Sequence, residues 1–417
     1  MNLSKRILDM QESPVRKLVP IATRVKKNGK KVFHLNIGQP DIETPKVFME
    51  AINNYDTRVI KYSYSQGEPA LINSIRDYFA RDGIMFDDNE VLITNGGSEA
   101  LTFTTIAICN PGDEILVPEP FYTNYNGFTG QVNVNIKPIT TLAKDGFHLP
   151  NEEDIVKLIT PKTKAILFSN PGNPTGTILR LDEMEMLAKI AKEHDLFIIS
   201  DEVYRGFAFD GLKGISMGSI KGVEDRTVII ESVSKRYSAC GARIGSIQSK
   251  NKELMKNILK LCQARLCVAT LEQIGASQLY KLDDEYTAMI KSEYQARRDI
   301  VYSTLIKIPG VVCEKPSGAF YVVAKLPVDN AEKFIIWMLE EFEIDGETIM
   351  LAPAEGFYAT PGLGKDEVRI AYVLNIKDME RSMFILKKGL EKYNSYTRWF
   401  HDYWKIQRYI SKDFKKS

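Results

Sequence analysis

The chain has 417 residues, 44% of them hydrophobic and 26% charged, with a net charge of +1. That length calls for two cores rather than one, and the charge balance supplies no field to draw nucleic acid, membrane or acidic partners. Five cysteines (Cys109, Cys240, Cys262, Cys267, Cys313) form no CxxC pair and the four histidines are scattered, so no metal site is indicated; the cysteines read as buried free thiols of a reducing cytosol. The first residues, Met1 to Arg6, lack the apolar core of a signal peptide, and no long uncharged apolar run occurs; a cytoplasmic globular protein is expected.

In chain order, a segment up to about residue 48 precedes the first regular alternation. From about Asn89 to Ser249, short β-rich runs alternate with helical segments, the pattern of an α/β domain with a largely parallel sheet. The predicted strands are Glu90–Ile93, Glu114–Val117, Ala165–Phe168, Phe197–Ile199 and Val228–Ile230, with a helix over Asp182–Glu193 among the connections. Unusual residues follow each strand, and in open α/β sheets such turns converge on one ligand site. After about Lys291 the character becomes α+β: a long charged helix, the run Gly318–Val323, a helix through Phe334 and Trp337, and the strand Val368–Tyr372. The expected division is a large domain over 49–290 and a smaller one from 1–48 and 291–417, ending in a tail over about 394–417.

The chemistry concentrates at Ser232-Val233-Ser234-Lys235 and Gly241-Ala242-Arg243. A buried strand that delivers a lysine among small residues, with two hydroxyls and an arginine nearby, suits a reactive amine beside a phosphate ester. An imine-forming lysine with pyridoxal 5'-phosphate (PLP) fits that description. Gly96-Gly97-Ser98 stands between a strand and a helix, where free amides bind phosphate, although alone a glycine pair is more often a plain tight turn. Asp201 ends a buried strand and needs a partner: an N-cap, a salt bridge or a protonated pyridine nitrogen. Tyr204 lies three residues on, where its phenol could address a ring hydroxyl, as could the turn residue Asn173. Tyr122 offers a face for stacking or for the core. Arg369 interrupts an apolar strand, either facing solvent or forking onto a substrate carboxylate.

In that order and context, these residues resemble the class I/II aminotransferases, PLP enzymes of fold type I, of aspartate and alanine aminotransferase type. The resemblance runs from Asn36-Ile37-Gly38-Gln39-Pro40-Asp41 to about Tyr393, and is most specific at Ser232-x-Ser234-Lys235 with Arg243, at Asn173-Pro174-Thr175-Gly176 and at Asp201-Glu202-Val203-Tyr204. It implies that Lys235 forms the imine and shuttles protons, and that Asp201 pairs with the pyridine nitrogen. Asn173 and Tyr204 would address the ring oxygen. Gly97, Ser98, Ser232, Ser234 and Arg243 would hold phosphate while Tyr122 stacks on the ring. Arg369 would take the substrate α-carboxylate, with Gly38 and Asn173 beside it. Tyr62 matches a tyrosine that reaches the phosphate of the neighbouring subunit, which implies a homodimer with shared active sites.

The implied activity is ping-pong transfer of the amino group of an L-amino acid to a 2-oxo acid such as 2-oxoglutarate, of aspartate or alanine type. A carbon–sulfur lyase or decarboxylase on the same fold is the alternative. A non-enzymatic PLP-sensing regulator is a more remote one, for which a DNA-binding domain finds no room in the short N-terminal segment. Departures from the family are Ala242, where tryptophan is common, and Val268-Ala269, where prolines are usual. Arg265 lies near the position of an arginine that reads a distal carboxylate in aspartate-specific members, so it is a candidate for that role. In the tail, Trp399, Tyr403, Ile406, Ile410 and Phe414 recur at helical spacing among basic residues, predicting an amphipathic helix that docks on the protein's own dimer or, alternatively, contacts a membrane surface or nucleic acid.

Overall fold

The computed structural model describes the backbone of residues 1–413 and the side chains of residues 1–395. Its centre is a seven-stranded sheet of Val91–Asn95 (β1), Glu114–Glu119 (β2), Asn135–Thr140 (β3), Thr163–Ser169 (β4), Phe197–Asp201 (β5), Thr227–Ser232 (β6) and Ile244–Gln248 (β7). The spatial order is β1-β7-β6-β5-β4-β2-β3, and β7 alone runs antiparallel to its neighbours. The fold class is α/β, with a mostly parallel central sheet flanked by helices.

Both faces of this sheet are covered, which explains why its strands read as continuous apolar runs. Side chains alternate across a strand, so Ala165 and Leu167 of β4 enter one core with Ile115, Val117 and Ile199. Ile166 and Phe168 enter the opposite core with Leu116, Ile198 and Leu187 of the helix Leu181–Glu193. All five predicted strands are present. Two more were not predicted: β3, a partly exposed edge strand containing Lys137 and Pro138, and β7, whose Gly245, Ser246 and Gln248 lack a β-forming signature.

A second core joins residues from the two ends of the chain. The strand Lys31–His34 pairs in parallel with Glu347–Met350, and Leu18, Phe33 and Leu35 pack with Phe320, Phe334, Ile349, Ile370 and Leu386. Beside them, Tyr321–Lys325, Glu367–Ala371 and Ala352–Pro353 form an antiparallel sheet. The last helix, Ile376–Asp413, carries the backbone through most of the predicted tail helix. The side chains that would define its two faces, Trp399, Tyr403, Ile406 and Ile410, lie outside the described residues, as does Phe414.

Among the described residues, no helix is long and apolar enough to cross a membrane.

Candidate active site

Strand β6 is buried along its whole length and ends at Ser232, whose hydroxyl accepts the amide N–H of Ser234 at 3.1 Å. That cap starts the four-residue helix Val233–Arg236, which delivers Lys235 into a cavity of about 520 Å³. The Lys235 Nζ donates to the Gly38 carbonyl at 2.8 Å and lies 3.9 Å from Cys240 Sγ. Ser232 Oγ donates to the Ile244 carbonyl at 3.0 Å and sits 2.8 Å from Ser234 Oγ.

One wall of the cavity is built for close backbone approach. Gly96 adopts φ +75° and opens the helix Gly96–Ile108, so the amides of Gly97 and Ser98 belong to its unpaired first turn. Arg243, itself left-handed at φ +54°, donates from Nη1 to the Cys240 carbonyl at 3.0 Å and lays its guanidinium over Gly96. A β-carbon on Gly96 would stand 2.4 Å from Arg243 Nη2. Amides, hydroxyls and a guanidinium thus face one small volume, which suits an anion.

The far wall is aromatic and acidic. Asp201, at the end of β5, is buried and accepts the Tyr125 hydroxyl at 2.8 Å and, weakly, the Val203 amide at 3.5 Å. Burial pushes its carboxyl up to about 6, with the Tyr125 bond drawing it partly back. Among the described residues it has no ion-pair partner, so the site presents a buried carboxylate that lacks a cation. The buried Tyr204 hydroxyl is 2.9 Å from that of Tyr321, and burial raises the Tyr204 phenol well above its ordinary value. Tyr122, pushed up to about 12 by burial, accepts the Asn124 amide at 2.8 Å.

Arg369 is buried, which removes the solvent-facing alternative. Its Nη1 donates to Asn173 Oδ1 at 3.0 Å and its Nη2 to the Asn36 carbonyl at 2.5 Å, while Nε has no partner among the described residues. The guanidinium lies over the rings of Tyr321 and Phe357 at 4.5 and 5.0 Å.

The structure therefore brings twelve of the predicted residues to one cavity: Gly38, Gly97, Ser98, Tyr122, Asn173, Asp201, Tyr204, Ser232, Ser234, Lys235, Arg243 and Arg369. Tyr62 does not line it and is 82% exposed. Arg265 is also elsewhere: it donates to the Ile93 carbonyl at 3.0 Å and pairs with Glu99 at 3.4 Å. The cysteine expectation needs correction, because Cys262 alone is buried; the other four are half-buried, and Cys240 lines the cavity.

Sequence reasoning missed Tyr125, which donates to Asp201, and the cavity residues Tyr321, Ser13, Val15 and Arg16. Tyr125 stands three residues after Tyr122 on the next helix, the one signal that could have paired it with the same site. The N-terminal residues carry no local signal.

The family model described as aminotransferase class I and II matches residues 30–381. The chain belongs to the class I and II aminotransferases. The aspartate aminotransferase of Geobacillus stearothermophilus is 30% identical over 405 residues, covering 94% of this chain and 99% of that protein. The aromatic-amino-acid aminotransferase 2 of Thermococcus litoralis is 28% identical, covering 94% and 99%. Among solved structures, an alanine aminotransferase from Pyrococcus furiosus superposes with a TM-score of 0.86 at 31% identity, covering 94% of this chain and all of that one. The aspartate aminotransferase of Thermus thermophilus with maleate gives 0.84 at 26% identity, covering 93% of this aminotransferase and all of that chain.

Proposed function

We propose that this aminotransferase holds PLP in the cavity and moves the amino group of an L-amino acid to a 2-oxo acid, with 2-oxoglutarate as acceptor and aspartate or alanine as donor. One observation carries the reading: an amine, a buried carboxylate with no ion-pair partner among the described residues and an anion-binding wall share a single cavity. The residues fit the group. Gly97, Ser98, Ser232, Ser234 and Arg243 would hold the phosphate, Tyr122 would face the ring, and Asp201 would receive the ring nitrogen as a cation. Asn173 and Tyr204 would address the ring oxygen. When bound, PLP supplies an electron sink for the substrate α-carbon and stores the amino group between half-reactions, hence ping-pong kinetics.

The chain's own contribution is orientation and proton transfer. Lys235 Nζ, free to swing from the Gly38 carbonyl, would take and return the α-proton. Arg369, fixed by Asn173 and Asn36, keeps its Nε–H for a substrate carboxylate, and the aromatic rings around it limit hydration. The Tyr125 hydroxyl holds Asp201 in place, so the carboxylate meets a cation without reorganising.

We extend the proposal to a cytoplasmic homodimer in which Tyr62 serves the partner's site, in keeping with its exposure outside its own cavity. The large domain would span 49–290, and residues 1–48 with 291–417 would form the smaller one.

Borohydride reduction of the holoprotein followed by peptide mapping tests the core of this reading. Attachment of the reduced cofactor at Lys235 is the expected result; a tag on another side chain, or none, would overturn it. A panel of amino donors, followed through the spectrum of the bound cofactor, then ranks aspartate against alanine.

A further inference from the structure

The cavity receives three residues from the N-terminal segment: Ser13, Val15 and Arg16. Their position is fixed rather than incidental. Pro14 packs so closely on Gly356 that a β-carbon there would stand 2.2 Å from Pro14 Cγ. Val15 packs on the small cluster of Ala352, Ala354 and Phe357. The Arg16 amide closes a turn onto the Ser13 carbonyl at 3.0 Å. The Asn36 side chain donates to the Val15 carbonyl at 3.2 Å, while the Asn36 backbone carbonyl accepts Arg369 Nη2. One residue thus ties the segment carrying Arg16 to Arg369.

Four cationic side chains line the cavity, Arg16, Lys235, Arg243 and Arg369, against one carboxylate, Asp201. On the function proposed above, on which this inference rests, Arg243 answers a phosphate, Arg369 an α-carboxylate and Lys235 a carbonyl carbon. Arg16 is left over. It is exposed, and its side chain makes no hydrogen bond or ion pair among the described residues, although its neighbour Lys17 pairs with Glu332. Arg265, the candidate for a distal carboxylate on sequence grounds, is already engaged by Glu99 and Ile93 outside the cavity. An unpaired guanidinium at the mouth of a site whose other anions are accounted for is matched by a second carboxylate.

We propose that Arg16 is a specificity-determining residue that reads the distal carboxylate of dicarboxylic amino and oxo acids. A substrate held by Arg369 at one end and Arg16 at the other is a diacid, the chemistry of aspartate, glutamate and 2-oxoglutarate, whereas alanine engages Arg369 alone.

The test compares wild type, Arg16→Ala and Arg16→Lys holoenzymes in two ways. First, single half-reactions with glutamate and alanine give the ratio of their kcat/KM values. That ratio falls about ten- to a hundredfold in Arg16→Ala, as expected for loss of one charge-assisted contact, with Arg16→Lys in between. Second, calorimetric binding of the unreactive diacid glutarate weakens by a similar factor, while the monoacid butyrate binds as before. An unchanged glutamate-to-alanine ratio, or equal weakening of glutarate and butyrate, overturns the role of Arg16 and leaves the aminotransferase reading intact. A wild-type protein that transfers no amino group from any donor and carries no cofactor on Lys235 overturns both.

Discussion

Arg369 and Asn173 meet at 3.0 Å, guanidinium to side-chain carbonyl, inside a site where both are buried. The pairing consumes one nitrogen of the fork, and the Asn36 carbonyl consumes a second, so the arginine is aimed before any substrate arrives. Nε is left as an unpaired buried donor. Such a group is costly unless a ligand completes it, and a substrate carboxylate oxygen is a matching charge-assisted acceptor.

Arg369→Lys keeps the charge but cannot satisfy Asn173, Asn36 and a carboxylate together. The expected outcome is a KM increase for every amino donor of roughly ten- to a hundredfold, the scale of a lost charge-assisted bond. Steady-state kinetics with several donors check it. An unchanged KM across the panel would remove Arg369 from substrate binding.

Asp201 makes a prediction about pH. Its folded-state carboxyl is raised from 3.8 to about 6 by burial. Between those values the folded state binds more protons than the unfolded one, so the stability of the cofactor-free protein falls as pH rises from about 4 to 6 and stays low above it. Asp201→Asn removes this cost while still accepting the Tyr125 hydroxyl. The cofactor-free variant should be more stable than wild type at pH 8, by on the order of 1–3 kcal/mol, with the gain vanishing near pH 4. The same variant should lose cofactor affinity and turnover. Denaturant melts at the two pH values decide; a variant less stable than wild type at pH 8 would contradict a cationless carboxylate.

Gly96→Ala probes the anion-binding wall. The position needs φ +75°, and its β-carbon would collide with Arg243 Nη2 at 2.4 Å. The arginine would have to swing away, costing a charge-assisted contact, and the backbone strain adds about 1 kcal/mol. Cofactor dissociation, followed by dialysis and visible absorbance, should quicken at least tenfold, with a smaller loss of thermal stability. Retention equal to wild type would separate Arg243 from the phosphate site.

Much of the arrangement is legible in the sequence because burial on two faces leaves a direct trace. The strands ending in Asn95, Glu119, Ser169, Asp201 and Ser232 are runs of Val, Ile, Leu and Phe, and the residues that follow them supply most of the site. Strand β7 is not legible because its neighbours exclude bulk: a β-carbon on Gly245 would stand 2.4 Å from the Gly96 carbonyl carbon, so small residues replace the apolar signature. Arg369 was ambiguous because an arginine in a strand alternates inward or outward with equal ease, and only the partners Asn36 and Asn173, hundreds of residues away in the chain, decide. Tyr125 and Tyr321 are ordinary core aromatics in sequence; their hydroxyls acquire roles only when Asp201 and Tyr204 arrive beside them. Arg16 is the extreme case, a surface arginine in a polar segment whose side chain finds no hydrogen-bond or ion-pair partner among the described residues.

Tyr62 offers a test of the shared site that does not depend on the substrate. It is 82% exposed and lines no part of its own cavity, so a role within one protomer would need the chain around it to move. In a dimer with shared sites, Tyr62→Ala should weaken cofactor retention by about tenfold, the loss of one phenol bond to a phosphate. Lys235→Ala should be inactive. When the two variants are mixed, unfolded and refolded together, a hybrid dimer contains one site with an intact lysine from one chain and an intact Tyr62 from the other. That site should hold cofactor as wild type does, so at limiting cofactor the mixture should exceed the summed activity of the separately refolded parents. If Tyr62 acted only within its own chain, every functional lysine in the hybrid would still sit beside the truncated side chain, and the mixture would equal the sum.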